Sequence, residues 1–417
     1  MRQGADNFLA RYEGLRGQLP GDPAVRAAAA AMFRQAGLPG VRNEAWKYTS
    51  LRPMAETPFR EPLTSVATET TPSIPEFDGP RLVFIDGRLR QDLCRMPEKV
   101  DFTSFADETA FGTLSHPERE SVVALNTMLA EDGATLSVPE GVDAGTLVLV
   151  NLALETEGRS IAFHPRHAIR LAAGAKLTVI ELALGRGRYL HNPVTEISVA
   201  EGATLTHIRL QDEAVEAFHL ATIYAEIQSG GFYDAFTLAL GARVSRVEFH
   251  ARLAGPDAVV HLNAAQMLGG VQHGDVTTVV AHDAPRCSSR QAVKNVLTGR
   301  SRGVFQGRIE VDRVAQKTDG YQMSQALLLS PDAEIDCKPE LQIFADDVKC
   351  SHGATIGELN ADQLFYLRAR GIPDAEARAM LVRAFLTDAL DAVTNEPARV
   401  FLDGVVDSWW ARQAQAA

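Results

Sequence analysis

Four cysteines in 417 residues, none in a CxxC pair, leave no disulfide framework and no self-contained zinc module. No apolar run approaches the roughly 18 residues that a membrane helix needs. The N-terminus MRQGADNFLARYEGLRGQLP lacks the apolar stretch of a secretory signal. Cations are in deficit: 41 Lys+Arg against 53 Asp+Glu give a net charge of −12. Phosphate binding needs clustered cations, so nucleic acid is not an expected partner, and neither is a membrane. The nucleotide loop GxxxxGK[ST] is missing, which leaves any ATP hydrolysis to another chain. A cytoplasmic protein with reduced thiols is expected. What is present, 46% apolar and 23% charged residues, is the composition of an ordinary globular protein with a large core. The length suggests two or three domains.

The first fifty residues read as helical. Asp22 and Pro23 offer a cap and a first-turn proline before AVRAAAAAMFRQA, and Gly37 stops that helix. Six prolines between Pro53 and Pro80 mark a loop or linker, because proline has no N–H for a ladder. RLVFIDGRL, from Arg81 to Leu89, reads as a short strand and turn. A helix begins near Pro117 and runs to a stop at Gly133. These observations place a helical N-terminal region at 1–132, a β core at 133–357 and a helical C-terminal region at 358–417.

Within the β region a phrase recurs: Gly133-Ala-Thr-Leu, Gly174-Ala-Lys-Leu, Gly202-Ala-Thr-Leu, Gly241-Ala-Arg-Val and Gly353-Ala-Thr-Ile. A Gly–small turn before an alternating strand, repeated without long helices, suits stacked coils of a parallel β-helix or a meandering sandwich. The uneven spacing excludes equal propeller blades. Multiples of about 13 to 20 residues would fit one or two solenoid turns. Two helices follow, ADQLFYLRARG and the segment opened by Pro373-Asp374. In the second, Ala377, Met380, Leu381, Ala384 and Phe385 form one apolar stripe, which is either core or a partner surface.

Nine of the eleven histidines lie between His164 and His282, without HExxH or HxH spacing, and read as structural. From Arg286 to Arg308 the cations Arg286, Arg290, Lys294, Arg300, Arg302 and Arg308 meet no acidic residue until Glu310; a solvated face, or a seat for an anion, follows. The sharpest constellation is DDVKCSHGATIG. Strand residues two apart share a face at roughly 7 Å, so Cys350 and His352 project together as a thiolate and an imidazole suited to iron or zinc. Two ligands close no tetrahedral site, so the others must come from elsewhere. The pair also suits a nucleophile with its base, or a buried Cys beside a hydrogen-bonded His. Cys337, one coil earlier, would stack near it, whereas Cys94 and Cys287 have no suggestive neighbours.

The stretch SRGVFQGRIEVDRVAQKTDGYQMSQALLLSPDAEIDCKPELQIFADDVKCSHGATIG, followed by QLFYLRARGI, strongly resembles the SufB/SufD family of the Suf iron–sulfur assembly system. RNEAWKYTSL and ALNTMLAEDGATLSVPEGV resemble the same family, so the likeness spans about residues 42 to 390. Gln322-Met323-Ser324 and His352-Gly353-Ala354 stand where SufB-type sequences have Gln-Cys-Asp and His-Glu-Ala, so the pattern is SufD-like. The resemblance implies a right-handed parallel β-helix between helical ends. It implies a non-enzymatic scaffold subunit that pairs with a SufB-type paralogue and a SufC-type ATPase, or with itself when isolated. His352, with Cys350 as companion, would lie where the nascent cluster forms at the SufB–SufD interface. The C-terminal helices, with Met380, Leu381 and Phe385, would receive the ATPase. A transient iron–sulfur cluster is expected in the complex, and no group stably bound to the isolated chain.

Two readings from other classes compete. A β-helix carbohydrate-active enzyme would need carboxylates about 5 to 9 Å apart along a groove, and no Asp/Glu ladder marks one. A Cys–His hydrolase would centre on Cys350.

Overall fold

The computed structural model describes residues 2–62, 73–107, 111–154 and 158–416. Two sheets carry the architecture, and strands alternate between them along the chain, each pairing in parallel with the strand one coil away. One sheet takes the strands from Ala134–Val138 to Glu334–Ile343; the other takes those from Asp143–Ala153 to Lys349–Gly357. The result is a parallel β-solenoid of about eight turns. Register sets the length of a turn. Val244 lies opposite Phe218, 26 positions earlier, and Ala168 lies opposite Thr135, 33 positions earlier. One turn therefore takes about twice the 13 to 20 residues read from the spacing, because each turn contains two long strands rather than one.

The recurring Gly-Ala phrase is not a single device. Gly174 and Gly202 turn corners at φ +66 and +63, where a side chain is strained. Gly241 is needed for space instead: a Cβ there would lie 2.2 Å from the Glu213 nitrogen. Gly353 lies inside the last strand, Lys349–Gly357.

Alternation divides each strand between lumen and outer face. Val247, Phe249, Ala251 and Leu253 join the lumenal core with Leu136, Ile169, Ile197 and Ile223. The outer faces are apolar too, because helices cover both. On the first sheet lie α1 (Arg2–Leu15), α2 (Pro23–Ala36), α3 (Arg52–Ala55) and α4 (Ser121–Leu129), packing Phe8, Phe33, Trp46 and Leu125 over Leu190, Phe218 and Val244. Asp22 caps α2 as expected: the Ala24 N–H donates to its carboxylate at 2.7 Å, and Gly37 ends the helix at φ +65. Helix α4 is shorter than the run from Pro117 to Gly133. Its last carbonyls are taken by the buried Arg26, which donates to Thr127, Met128 and Ala130 at 3.2, 3.2 and 2.7 Å.

The proline-rich stretch holds α3 and the short strand Phe59–Arg60, while 63–72 lie outside the described residues. RLVFIDGRL is a strand and turn as read: Arg81–Ile85 pairs with Asp143–Ala153, and Arg88–Leu89 folds back antiparallel on it. The sheets thus draw on residues before 133. Together with the antiparallel strand Asp101–Ser104, this hairpin closes the N-terminal end of the stack.

The second sheet is covered by α6 (Asp374–Leu390) and α7 (Glu396–Ala416), preceded by α5 (Ala361–Ala369). The third helix was not anticipated. Val382, Leu386, Ala389 and Leu390 of α6 pack with Leu402, Val406 and Trp409 of α7 over Ile180, Ile208, Phe236 and Met267. The expected stripe is therefore displaced. Ala377 is buried, Leu381 and Phe385 are half-buried, and Met380 and Ala384 are exposed. The sheet beneath, together with α7, chooses which face turns inward. No helix among the described residues is long and apolar enough to cross a membrane.

Candidate functional site

The C-terminal end of the solenoid differs from its capped beginning. Glu334–Ile343 pairs only with Arg302–Val311, and Lys349–Gly357 only with Asp319–Leu328, so both sheets end here in strands with one ladder partner. These two strands hold no fully buried residue, whereas the strand before them, Asp319–Leu328, alternates regularly. Ile343, Phe344 and Ile356 are exposed along this end, and Phe365 and Tyr366 of α5 extend the apolar surface.

Cys350 and His352 stand on this last strand, opposite Gly320 and Gln322. The Cys350 sulfur lies over Gly320, where an added Cβ would come within 3.3 Å, and packs with Ile309 and Leu341. His352, two positions on, shares that lumenal side and is exposed because no further turn covers it. Burial raises the Cys350 pKa, and the Gly320 N–H offsets only part of that. Burial thus works against the thiolate form expected there. Among the described residues, no group of three metal-binding side chains includes either residue. Cys337 is not stacked on the pair. It belongs to the opposite sheet of the same turn, where its sulfur lies 3.0 Å from the Ser324 hydroxyl.

The basic strip is not one face either. Arg286 pairs with Asp257 at 2.7 Å, Arg290 with Asp319 at 2.9 Å and Arg308 with Glu310 at 2.8 Å. Lys294 is buried against α6. For Arg286 and Arg290, coil-to-coil stacking supplies the acidic partner 29 positions away, which a linear scan passes over.

Most central histidines are structural as read. His164 bonds Asn192 at 3.0 Å, His207 bonds Glu181 at 2.9 Å, and His282 bonds Ser289 at 2.9 Å. Burial opposes ionisation of Glu181, but Arg209 and His207 outweigh it and hold that carboxyl well below its usual range. Two convergent groups escaped the sequence reading. His191, Glu213 and His219 meet in the buried interior, and Glu120, Glu248 and His250 meet beneath the N-terminal region. The second had a legible signal: Glu248-Phe-His250 has the same two-residue strand spacing as Cys350-Ser-His352.

With this geometry in place, known proteins supply the family. The family model described as "SUF system FeS cluster assembly, SufBD core domain" matches residues 153–385. The chain belongs to the SufBD family. It is 33% identical over 369 residues to the iron–sulfur cluster assembly protein SufD of Escherichia coli, covering 86% of each chain. An iron–sulfur cluster assembly SufBD family protein of Synechocystis is 30% identical over 398 residues, covering 88% of this chain and 86% of the relative. A chloroplastic Arabidopsis protein, ABCI7, is 34% identical over 285 residues, 66% of this chain and 60% of the relative. The SufBD match begins in the strand Asp143–Ala153 and ends within α6, so it includes the open end and both residues on it.

Proposed function

We propose that this SufBD-family chain is a non-catalytic cytoplasmic subunit of an iron–sulfur cluster assembly scaffold. Its open solenoid end pairs with a SufB-type paralogue, and its C-terminal helices receive a SufC-type ATPase. The observation that carries this reading is the coincidence of unpaired strand edges, exposed Ile343, Phe344 and Ile356, and the pair Cys350 and His352 at one end of the stack. An exposed edge with apolar side chains is a template for another chain's strands. A ligand pair lacking a third donor suits a site completed from across such an interface. The nascent cluster is cargo there: His352 offers an imidazole, and Cys350 offers sulfur once a metal ion displaces its proton.

A hydrolase centred on Cys350 is disfavoured by the raised thiol pKa, since the thiolate is the nucleophile. On α6, exposed Met380 with half-buried Leu381 and Phe385 supports an ATPase-binding surface. The test is co-expression with SufB- and SufC-type partners. A stable complex is expected that builds a cluster when all three chains are present. Failure of the chain to co-purify with either partner would overturn the reading.

A further inference from the structure

Between the outer face of the first sheet and the N-terminal region lies a cavity of about 410 Å³, walled by Trp46, Glu120, Thr222, Glu248 and His250 among others. We propose that Glu120, Glu248 and His250 form a binding site for a single divalent first-row transition ion of the zinc(II) or iron(II) class. The site is separate from the pair at the open end. It does not rest on the assembly reading, because its ligands and its test concern this chain alone.

Distance favours an ion over plain hydrogen bonding. The His250 Nε2 lies 3.3 Å from the Glu248 Oε1 and 3.6 Å from the Glu120 Oε1. Charge-assisted hydrogen bonds between such groups run at about 2.7 to 2.9 Å. Donors about 2.0 to 2.2 Å from a tetrahedral ion stand about 3.4 Å from one another. The observed separations match the second spacing. The Nε2 atom is itself buried and without a hydrogen-bond partner.

The surroundings prepare these donors. Arg246 Nε and Nη2 both donate to the Glu248 Oε2, at 3.0 and 2.9 Å, which orients that carboxylate and leaves Oε1 toward the histidine. The Arg246 charge is balanced by Asp275 at 2.5 Å. Tyr224 stacks on the His250 ring at 4.9 Å and 15°, fixing its plane. Tyr224 is itself only 3% exposed, and its hydroxyl is buried. Glu120 stands at the N-cap of α4, yet its side chain makes no cap hydrogen bond. Its carboxylate is therefore uncommitted to the helix. Two carboxylates and one imidazole suit zinc(II) and iron(II) better than calcium(II), which prefers an all-oxygen shell, or copper(I), which prefers thiolates. The cavity supplies entry and room for water as a fourth ligand. The buried trio of His191, Glu213 and His219 was the rival. There Glu213 already pairs with both rings at 3.1 and 2.7 Å, as an internal ion cluster would.

The test uses the purified full chain, stripped with chelator and titrated with Co²⁺ alone, read by calorimetry and visible absorption. One Co²⁺ per chain with ligand-field bands of low coordination number is expected. Glu120→Gln and His250→Gln should each weaken binding by at least the roughly 10- to 100-fold that loss of an outer-shell partner costs. Melting curves without metal establish that each variant folds. Should His250→Gln fail there, the near-isosteric Glu120→Gln decides alone. No saturable binding, unchanged affinity in a folded variant, or loss of binding only on Glu213→Gln would overturn the proposal.

Discussion

The Lys294 ammonium, on the solenoid wall, donates to the backbone carbonyl of Phe385 in α6 at 2.6 Å and lies 4.9 Å from the centre of the same residue's ring. One side chain thereby ties the C-terminal helices to the β core, with Asp388 as a further partner at 3.0 Å. Lys294 is nearly buried, so the charged hydrogen bond is poorly screened. Lys294→Ala should destabilise the chain by about 1.5 to 3 kcal/mol, seen as a lower melting temperature. An unchanged melting curve would show that α6 docks through its apolar face alone.

Met380, 45% exposed on α6, separates interface from core. Met380→Asp should leave the unfolding free energy within about 0.5 kcal/mol of the parent while weakening capture of the SufC-type ATPase. Phe385→Ala should instead lower stability, by about 2 kcal/mol for its partly buried surface, as well as reduce capture. If Met380→Asp binds normally, the ATPase docks elsewhere.

His352 is exposed, so its loss should cost the fold little. His352→Ala should melt like the parent and still assemble with its partners, while cluster yield on the complex falls sharply. Cys350→Ser should act in the same direction but more mildly, and should lower stability slightly because the sulfur packs with Ile309 and Leu341. Normal cluster yield from the His352→Ala complex would remove that residue from the site.

The exposed edge gives a separate expectation. Ile356, 56% exposed on the last strand, should be covered when two such ends meet. Ile356→Lys should shift the isolated chain toward monomer in light scattering after size exclusion and weaken pairing with the SufB-type paralogue, because a charge on an edge strand blocks strand addition. Unaltered mass and pairing would place the interface on another surface.

Burial depresses His164 to about 3, His167 to about 4 and His282 to about 4. The unfolded chain then binds more protons than the folded one between those values and the ordinary histidine pKa near 6.5. Stability is therefore complete above about pH 6.5 and falls as pH drops toward 4, by up to about 1.4 kcal/mol per histidine per pH unit. His250, raised by Glu248 and Glu120 against its burial, works in the opposite sense. The depressed histidines outnumber it. Melting temperature should fall steadily from pH 6.5 to 4.5, and His282→Gln should make that fall shallower. A flat profile would mean these rings are protonated in the fold.

Local signals survived folding where local physics decides them. The Asp22–Pro23 start and Gly37 stop of α2, the turn in RLVFIDGRL and the break before Pro373 all depend on neighbours within a few positions. The α6 stripe did not survive: an amphipathic pattern reports that a helix has an apolar face, but Val382, Leu386 and Ala389 face inward because the second sheet lies on that side. The Gly-Ala phrases do not share one role, serving as corners at Gly174 and Gly202 but as a close approach at Gly241, so their spacing alone does not give the turn length.

The sequence by itself determined the helical ends and the shared face of Cys350 and His352, because strand alternation and Gly/Pro punctuation are written in consecutive residues; it narrowed the core to a parallel β-helix or a meandering sandwich, and the family resemblance implied the first. Only the tertiary structure decided that this pair sits on an open last turn, and that Glu120 meets Glu248 and His250 across 128 and 130 positions. Stacking about 30 residues per turn places residues from different coils in contact. That proximity depends on register and on which helices cover each sheet, which no local spacing records.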